Sequence, residues 1–210
     1  MTVNTVSLAV VTSVGSVLLA IAWLEGEDRA RRGRARWAEA LIYVPLILPQ
    51  IGFLFGLNVF FIKSGFASHY WSVVWAQSLF VFPYVIITLS DPWKALDPRL
   101  ARVASALGAG PWRRLFRVKI PVLLGPILVA WAIGVAVSVA QYLPTLFMGA
   151  GRIPTLTTEA VTLSSGSDRR VTGVYASLQA MLPLVTYMLA LSIPAVMHRV
   201  RRSQRRNKKT

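Results

Sequence analysis

The sequence contains no cysteine among its 210 residues. A disulfide framework and a thiolate metal site are therefore excluded, and cysteine usage leaves the redox compartment open. Acidic residues are also scarce, because 8 Asp and Glu stand against 23 Lys and Arg, which gives a net charge of +15. Such an excess of basic charge is typical of nucleic-acid-binding proteins and of membrane proteins with basic cytoplasmic faces.

The hydrophobic fraction of 55% distinguishes these two classes. A soluble domain with so few charges would expose apolar surface and aggregate. Five runs lack charged residues, and each has the roughly 20 residues that a helix needs to cross a bilayer. The sequence therefore predicts an all-α polytopic membrane protein with one domain, 1–210. The predicted spans are about 5–24, 40–62, 70–90, 120–143 and 174–197.

Lysine and arginine are distributed unevenly among the predicted loops. The first loop is rich in arginine, and the third loop and the tail 198–210 contain both residues in number, whereas the second loop contains only Lys63. Because these residues accumulate on the cytoplasmic side of short loops, we expect the N-terminus outside and the third loop, 97–119, inside. Lys119 is counted among the residues that set this topology. The basic charge is then explained by topology and contact with membrane lipids, and no nucleic-acid partner is expected.

The third loop has the pattern of two short helices separated by a glycine turn. Asp97 and Pro98 suit an N-cap and a first helical position. Gly108 follows where a C-terminal glycine is expected, and Gly110-Pro111 indicates a second helix start. An apolar stripe at helical spacing is formed by Leu100, Val103, Ala104 and Leu107. From composition alone, an amphipathic helix lying on lipid is the alternative.

The order of residues in this loop resembles a signature of ABC importer permeases, the membrane subunits of binding-protein-dependent (MetI-like) transporters. The signature is E-A-A, three residues, G, nine residues and I-x-L-P. Gly108 fits its glycine, residues 102–104 (Arg-Val-Ala) fall on E-A-A, and residues 118–121 (Val-Lys-Ile-Pro) fall on I-x-L-P. Arg102 replaces the family's acid. The resemblance covers nearly the whole chain and is closest in style to the iron, thiamine and polyamine groups.

The resemblance implies a multi-pass permease subunit of the bacterial inner membrane whose third loop is a coupling helix. Such a helix docks on a cytosolic ABC ATPase dimer, which binds the ATP, while a second permease subunit completes the pathway in a homodimer or heterodimer. The residues expected at the ATPase contact are Arg102, Val103, Ala104, Ser105, Ala106, Leu107, Gly108, Ala109, Gly110, Pro111 and Trp112. A periplasmic or lipid-anchored substrate-binding protein is expected to contact Glu159, Asp168, Arg169 and Arg170.

Enzymatic and metal sites are not expected in this chain. It has no G-x-x-x-x-G-K-[ST] loop for phosphate, so neither ATP hydrolysis nor a cofactor of its own is predicted. His69 and His198 fall on opposite predicted sides of the membrane, which argues against a metal or catalytic role. No acid lies deep in a predicted span, which argues against proton coupling through a carboxylate.

Polar residues within the predicted spans are costly in lipid and should face protein or water. They are candidates for the lining of the pathway, and interhelical hydrogen bonding is the alternative for each. These candidates are Gln50, Asn58, Gln77, Ser138, Gln141 and Gln179.

Two other functions stay open, namely an ATPase-independent channel or secondary carrier and a membrane-anchored basic scaffold. The abrupt start of the first span is also compatible with one half of a longer, fused permease. No residue pattern identifies a transported substrate.

Overall fold

A computed structural model describes residues 1–30, 36–164, 166 and 169–207 of the chain. Its helices are α1 (Thr2–Ala30), α2 (Arg36–Ile47), α3 (Gln50–Lys63), α4 (Tyr70–Lys94), α5 (Pro98–Ala106), α6 (Pro111–Arg114), a π-helical turn (Leu115–Lys119), α7 (Ile120–Val122), α8 (Leu124–Ala140), α9 (Leu143–Gly149), α10 (Leu156–Ser164) and α11 (Arg169–Asn207). Within these residues, three helices (α1, α4 and α11) are long and apolar enough to cross a membrane. The number rises to five if two bent helix pairs each count as one span. The predicted all-α polytopic fold is confirmed.

The segment predicted as a span at 40–62 is not one straight helix. It is divided into α2 and α3, whose axes differ by 107°. The break lies at Leu48 and Pro49, because a proline disfavours helical backbone at the residue before it. Pro45, by contrast, lies inside α2. The apolar run therefore indicated the length of the hydrophobic segment but not its direction.

The segment predicted at 120–143 is also bent, by 77° at Leu123. Pro126 has no N–H to donate to the carbonyl of Val122, so the helical hydrogen-bond ladder is interrupted here. The long apolar helix after the bend, α8, runs from Leu124 to Ala140. Residues 111–122, before the bend, form one continuous helical segment made of α6, the π-helical turn and α7.

Helices α1, α4 and α8 pack on one another, and α11 packs on α8 and α10. The first three helices approach one another closely at Gly134 of α8. A Cβ atom at this position would lie 3.0 Å from Ser13 Cβ and 3.1 Å from Val85 Cγ2. Gly52 and Gly56 of α3, which form a G-x-x-x-G pair, would meet nothing within 4 Å. Of these three glycines, Gly134 is the one at which the missing side chain permits close helix packing.

The two ends of the bundle are closed by different contacts. At one end, Asn4 Nδ2 donates to the carbonyl of Pro154 at 3.1 Å, and the N–H of Leu156 donates to Thr5 Oγ1 at 2.9 Å. Here α10 begins, and its first residue, Leu156, is buried. The other end comprises residues 24–30 and 93–119 and is termed the basic end. Its arginines and lysines predict that it faces the cytoplasm.

Candidate coupling site

The predicted helix–turn–helix is present between α4 and α8, and residues 97–119 are termed the coupling segment. Asp97 caps α5, since its Oδ1 accepts a hydrogen bond from the N–H of Arg99 at 2.8 Å. Pro98 occupies the first turn, where its missing N–H leaves no helical hydrogen bond unmade. Local sequence signals thus fix where this helix begins.

A Schellman motif ends α5. Gly108 has a φ of 75°, and its N–H donates to the carbonyl of Ser105 at 3.0 Å. The N–H of Ala109 donates to the carbonyl of Ala104, also at 3.0 Å. This pair of hydrogen bonds satisfies two carbonyls of the last helical turn, and the left-handed backbone at its centre favours glycine. The turn is therefore a defined structure that fixes the angle between α5 and α6.

The large apolar side chains of α5 and of the turn after it are exposed. Leu107 is 81% exposed and Trp112 is 63% exposed. No residue of α5 is buried. Among the described residues, none therefore buries the stripe that the sequence predicted. Contiguous apolar surface at the water-facing end of a protein is characteristic of an interaction site.

One further contact joins the two helices of the segment. The guanidinium of Arg114 donates from Nη1 to Ser105 Oγ at 2.8 Å. The rings of Trp112 and Phe116 are stacked, with centroids 6.2 Å apart. The eleven residues expected at the ATPase contact, 102–112, therefore lie on one continuous turn and its flanking helices.

A buried ion cluster attaches the coupling segment to α1. Lys119 is 8% exposed, and its Nζ lies 2.5 Å from Glu25 Oε2 and 2.7 Å from Asp28 Oδ2. Trp93 of α4 donates from Nε1 to the same Asp28 oxygen at 2.9 Å. The Nε of Arg29 lies 2.9 Å from Glu25 Oε1. Each charged group in the cluster therefore has an oppositely charged partner.

Arg29 also contacts the coupling segment directly. Its guanidinium carbon lies 4.7 Å from the centroid of the Trp112 ring, within the range of a cation–π interaction. Beside the cluster is a cavity of about 520 Å³ between the ends of α1 and α4 and the coupling segment. Lys94, Asp97 and Arg114 line it together with the ion cluster. The basic end is thus polar and accessible to water.

The ion cluster was not predicted from the sequence. Lys119 was counted with the exposed residues that set topology, whereas the structure buries it. One signal was present: three of the 8 acids, Glu25, Glu27 and Asp28, follow the first predicted span within four positions. Acids immediately before an arginine-rich loop indicate an ion-paired site, but the pairing partner lies 94 residues away from Glu25.

A second polar cluster lies deeper in the bundle, around Gln77 of α4, which is 1% exposed. Its Oε1 accepts from Ser138 Oγ at 2.6 Å, and its Nε2 donates to Thr145 Oγ1 at 2.8 Å. Gln141 donates from Nε2 to the backbone carbonyl of Gln77 at 3.2 Å. Thr12 of α1 lies 3.5 Å from the same Oε1 atom. Three of the six candidates for the pathway lining thus make interhelical hydrogen bonds with one another.

The remaining site candidates are not part of either cluster. Gln50 and Asn58 on α3 and Gln179 on α11 are half-buried. Their assignment to the pathway stays a prediction.

At the opposite end, Glu159 is half-buried and Arg170 is exposed. Asp168 and the side chain of Arg169 lie outside the described residues. The contact of these four residues with a binding protein stays a prediction. In the described part of the chain, no group of three or more His, Cys, Asp or Glu residues could hold a metal ion.

The family described as "Binding-protein-dependent transport system inner membrane component" matches residues 8–205. The chain therefore belongs to this family of ABC transporter permeases, and it is a multi-pass protein of the bacterial inner membrane. The resemblance carried by the coupling segment is confirmed.

Individual relatives agree with this assignment. The chain is 36% identical over 187 residues to the inner membrane ABC transporter permease protein YnjC of Escherichia coli strain K12, covering 89% of this chain and 35% of the relative. It is 25% identical over 167 residues to the putative 2-aminoethylphosphonate transport system permease protein PhnV of Salmonella typhimurium strain LT2, covering 79% and 62%. It is 22% identical over 112 residues to the spermidine/putrescine transport system permease protein PotC of E. coli K12, covering 53% and 42%. The chain thus spans between 35% and 62% of the length of these relatives.

Proposed function

We propose that this chain is a permease subunit of an ABC importer. With a second permease subunit it forms the translocation pathway across the inner membrane, and a separate ATPase binds and hydrolyses the ATP. The observation that supports this most directly is the exposed apolar surface of the coupling segment, in a chain that belongs to the permease family. The lack of a phosphate-binding loop supports the assignment of ATP hydrolysis to a partner.

The coupling segment is the proposed ATPase contact, and Leu107 is its central residue. The side chain of Leu107 projects from the C-terminal end of α5, directly before the Schellman turn. A rigid turn presents this side chain with little loss of conformational entropy when it is buried by a partner. Buried residues near the middle of an interface usually contribute most of its binding energy.

The other partners are proposed from the family to which the chain belongs and from the positions of the two ends of the helix bundle. A substrate-binding protein would contact the end of the bundle opposite the basic end, where Glu159 and Arg170 lie. PhnV and PotC are named for a phosphonate and for polyamines, which are different classes of compound. We therefore assign no substrate to this chain.

The proposal is tested by co-expressing the chain with its ATPase and purifying the complex in detergent. Leu107→Asp places a charge at the centre of the proposed contact, and recovery of the ATPase should fall about tenfold or more. Arg99→Asp is the control, because Arg99 is exposed, precedes 102–112 and lies in the first turn of α5, where an acid is tolerated. The control should recover the ATPase as the wild type does.

Equal recovery of the ATPase with Leu107→Asp and with the wild type would contradict the proposed contact. If the purified chain bound no ATPase at all, an ATPase-independent channel or carrier would be the better assignment. If the ATPase is recovered with the chain, thermal-shift screening of the accompanying binding protein would identify the compound class that is transported.

A further inference from the structure

The helical structure is interrupted at each end of the coupling segment, where the segment continues into the membrane helices. Leu96 and Asp97 separate it from α4, and the 77° bend at Leu123 separates it from α8. Hinges are commonly a few residues at the ends of helices that absorb changes in φ and ψ. A segment attached only at these two positions would bend there when the ATPase displaces it. The displacement would then not be transmitted to the helix bundle.

The ion cluster is a third attachment, and it is not made by the backbone. Lys119 lies at the end of the segment closest to the bend, and its two carboxylate partners belong to α1. Trp93 contributes α4 to the same cluster through its bond to Asp28. The segment is therefore tied to α1 and α4 by side-chain contacts close to the bend at Leu123.

The π-helical turn Leu115–Lys119 orients Lys119 toward these partners. One additional residue in a turn rotates everything after it by about 100° relative to an uninterrupted α-helix. Leu115 at the start of the turn belongs to the apolar core, and Lys119 at its end belongs to the ion cluster. The irregular turn thus lets one face of a short segment provide both an apolar and an ionic attachment.

A buried ion pair contributes little to stability compared with apolar packing of the same volume, but it can define one geometry. We propose that Lys119 is a positioning residue that, with Glu25 and Asp28, clamps the coupling segment to α1. Displacement of the segment by the ATPase then moves α1, α4 and α8 together instead of bending the segment at its two hinges. This inference rests on the proposed function.

The test uses the whole transporter, with its ATPase and second permease subunit, in lipid nanodiscs. The chain has no cysteine, so spin labels can be placed at introduced cysteines once the partners' own cysteines are replaced. Labels at Leu19 and Arg113, both exposed, report the position of the segment relative to α1. Labels at Val3 and Lys63, also exposed, report the movement of α1 relative to α3 at the opposite end. Distances are measured without nucleotide and after trapping with ATP and vanadate.

In the wild type, the Leu19–Arg113 distance should stay narrow in both states, while the Val3–Lys63 distance changes on trapping. In Lys119→Met, the Leu19–Arg113 distribution should become roughly twofold broader, and the Val3–Lys63 change should fall to about half or less. Lys94→Met is the matched control, because Lys94 lines the same cavity and is exposed. It should behave as the wild type.

A second variant, Lys119→Met/Glu25→Gln, removes the carboxylate that Lys119→Met leaves with Arg29 as its remaining partner. It provides the same measurement if the single variant does not assemble. Narrow Leu19–Arg113 distances together with a full Val3–Lys63 change in the assembled variant would overturn the clamp. If trapping changed no distance in the wild type, the proposed function would fail, and the clamp would fall with it.

Discussion

Two polar clusters join the same helices but differ in charge and in depth. The Gln77 cluster links α1 and α4 to residues 138–145 through amides and hydroxyls, without a charged group. The Lys119 cluster links α1 and α4 to the coupling segment through carboxylates, an ammonium and an indole. The first is enclosed by the bundle, whereas the second adjoins a cavity at the basic end.

The difference follows from the cost of removing each kind of group from water. Neutral side chains that are hydrogen-bonded to one another can lie deep in a membrane protein at modest cost. Charged groups are far more costly there and are found near water or in pairs. The chain thus uses neutral groups where its helices cross and charged groups where water reaches. The variants below compare the two clusters.

The largest effect on stability is expected from Lys119→Met. It leaves Glu25 buried without its ammonium partner, and the free energy of unfolding should fall by about 3 kcal/mol. This is the lower end for broken buried ion pairs, because Glu25 keeps Arg29 as a partner and the Asp28 side chain is 50% exposed and can be solvated. Unfolding by SDS in mixed micelles measures the change, and Lys94→Met should stay close to the wild type. Equal free energies of unfolding for Lys119→Met and Lys94→Met would show that the Lys119 cluster is already hydrated.

Gly134→Leu should have the next largest effect, because it separates the helices that both clusters join. The added side chain would overlap Ser13 and Val85, and overpacking of this kind costs about 2 kcal/mol. Gly15→Leu is the control, since a Cβ at Gly15 meets nothing within 4 Å. The same SDS titration distinguishes them, and equal loss in both would contradict the packing at Gly134.

Gln77→Leu should destabilise the chain less than either change, by about 1 kcal/mol. Hydrogen bonds between membrane helices contribute about 0.6 kcal/mol on average, and this substitution removes two short ones. The Ser138 hydroxyl loses its acceptor, whereas Thr145 still donates to the carbonyl of Gln141. Gln179→Leu is the matched control, since Gln179 is a half-buried glutamine on α11, and its unfolding free energy should change little. A larger loss of unfolding free energy in Gln179→Leu than in Gln77→Leu would show that the Gln179 amide makes the stronger interaction.

The smallest effect is expected from Trp112→Leu. It removes the aromatic face above Arg29, and a partly exposed cation–π contact contributes about 0.5 kcal/mol. Trp112→Phe retains a ring and should recover part of this loss. Chemical denaturation of the two variants side by side measures the difference, and a loss as large as that of Lys119→Met would place the main attachment at Arg29.

Much of the fold could be predicted because its causes are local. The length of each apolar run determines whether it can cross hydrocarbon, and Asp97, Pro98 and Gly108 define the coupling segment through their own backbone preferences. The two bends were missed although Pro49 and Pro126 were visible. Pro45, Pro83 and Pro92 lie inside helices, so a proline alone does not identify a break.

The two clusters could not be predicted because their partners are distant in sequence. A glutamine in an apolar run is compatible with a pathway and with a hydrogen bond to another helix, and only the contact of Gln77 with Ser138 distinguishes these. Lys119 lies in a loop rich in exposed arginines, and nothing local marks it as buried. Its partners Glu25 and Asp28 fall immediately after a predicted span, where a group of acids indicates an ion-paired site but does not identify Lys119 as the partner.

The exposed apolar face around Leu107 affects the lifetime of the subunit in the cell. A subunit made without its partners would present this face to chaperones and proteases, which act on accessible hydrophobic surface. Assembly would hide the face and extend the lifetime of the subunit. The amount of this polypeptide would therefore follow the supply of its partners, so that stoichiometry is maintained by degradation of the excess.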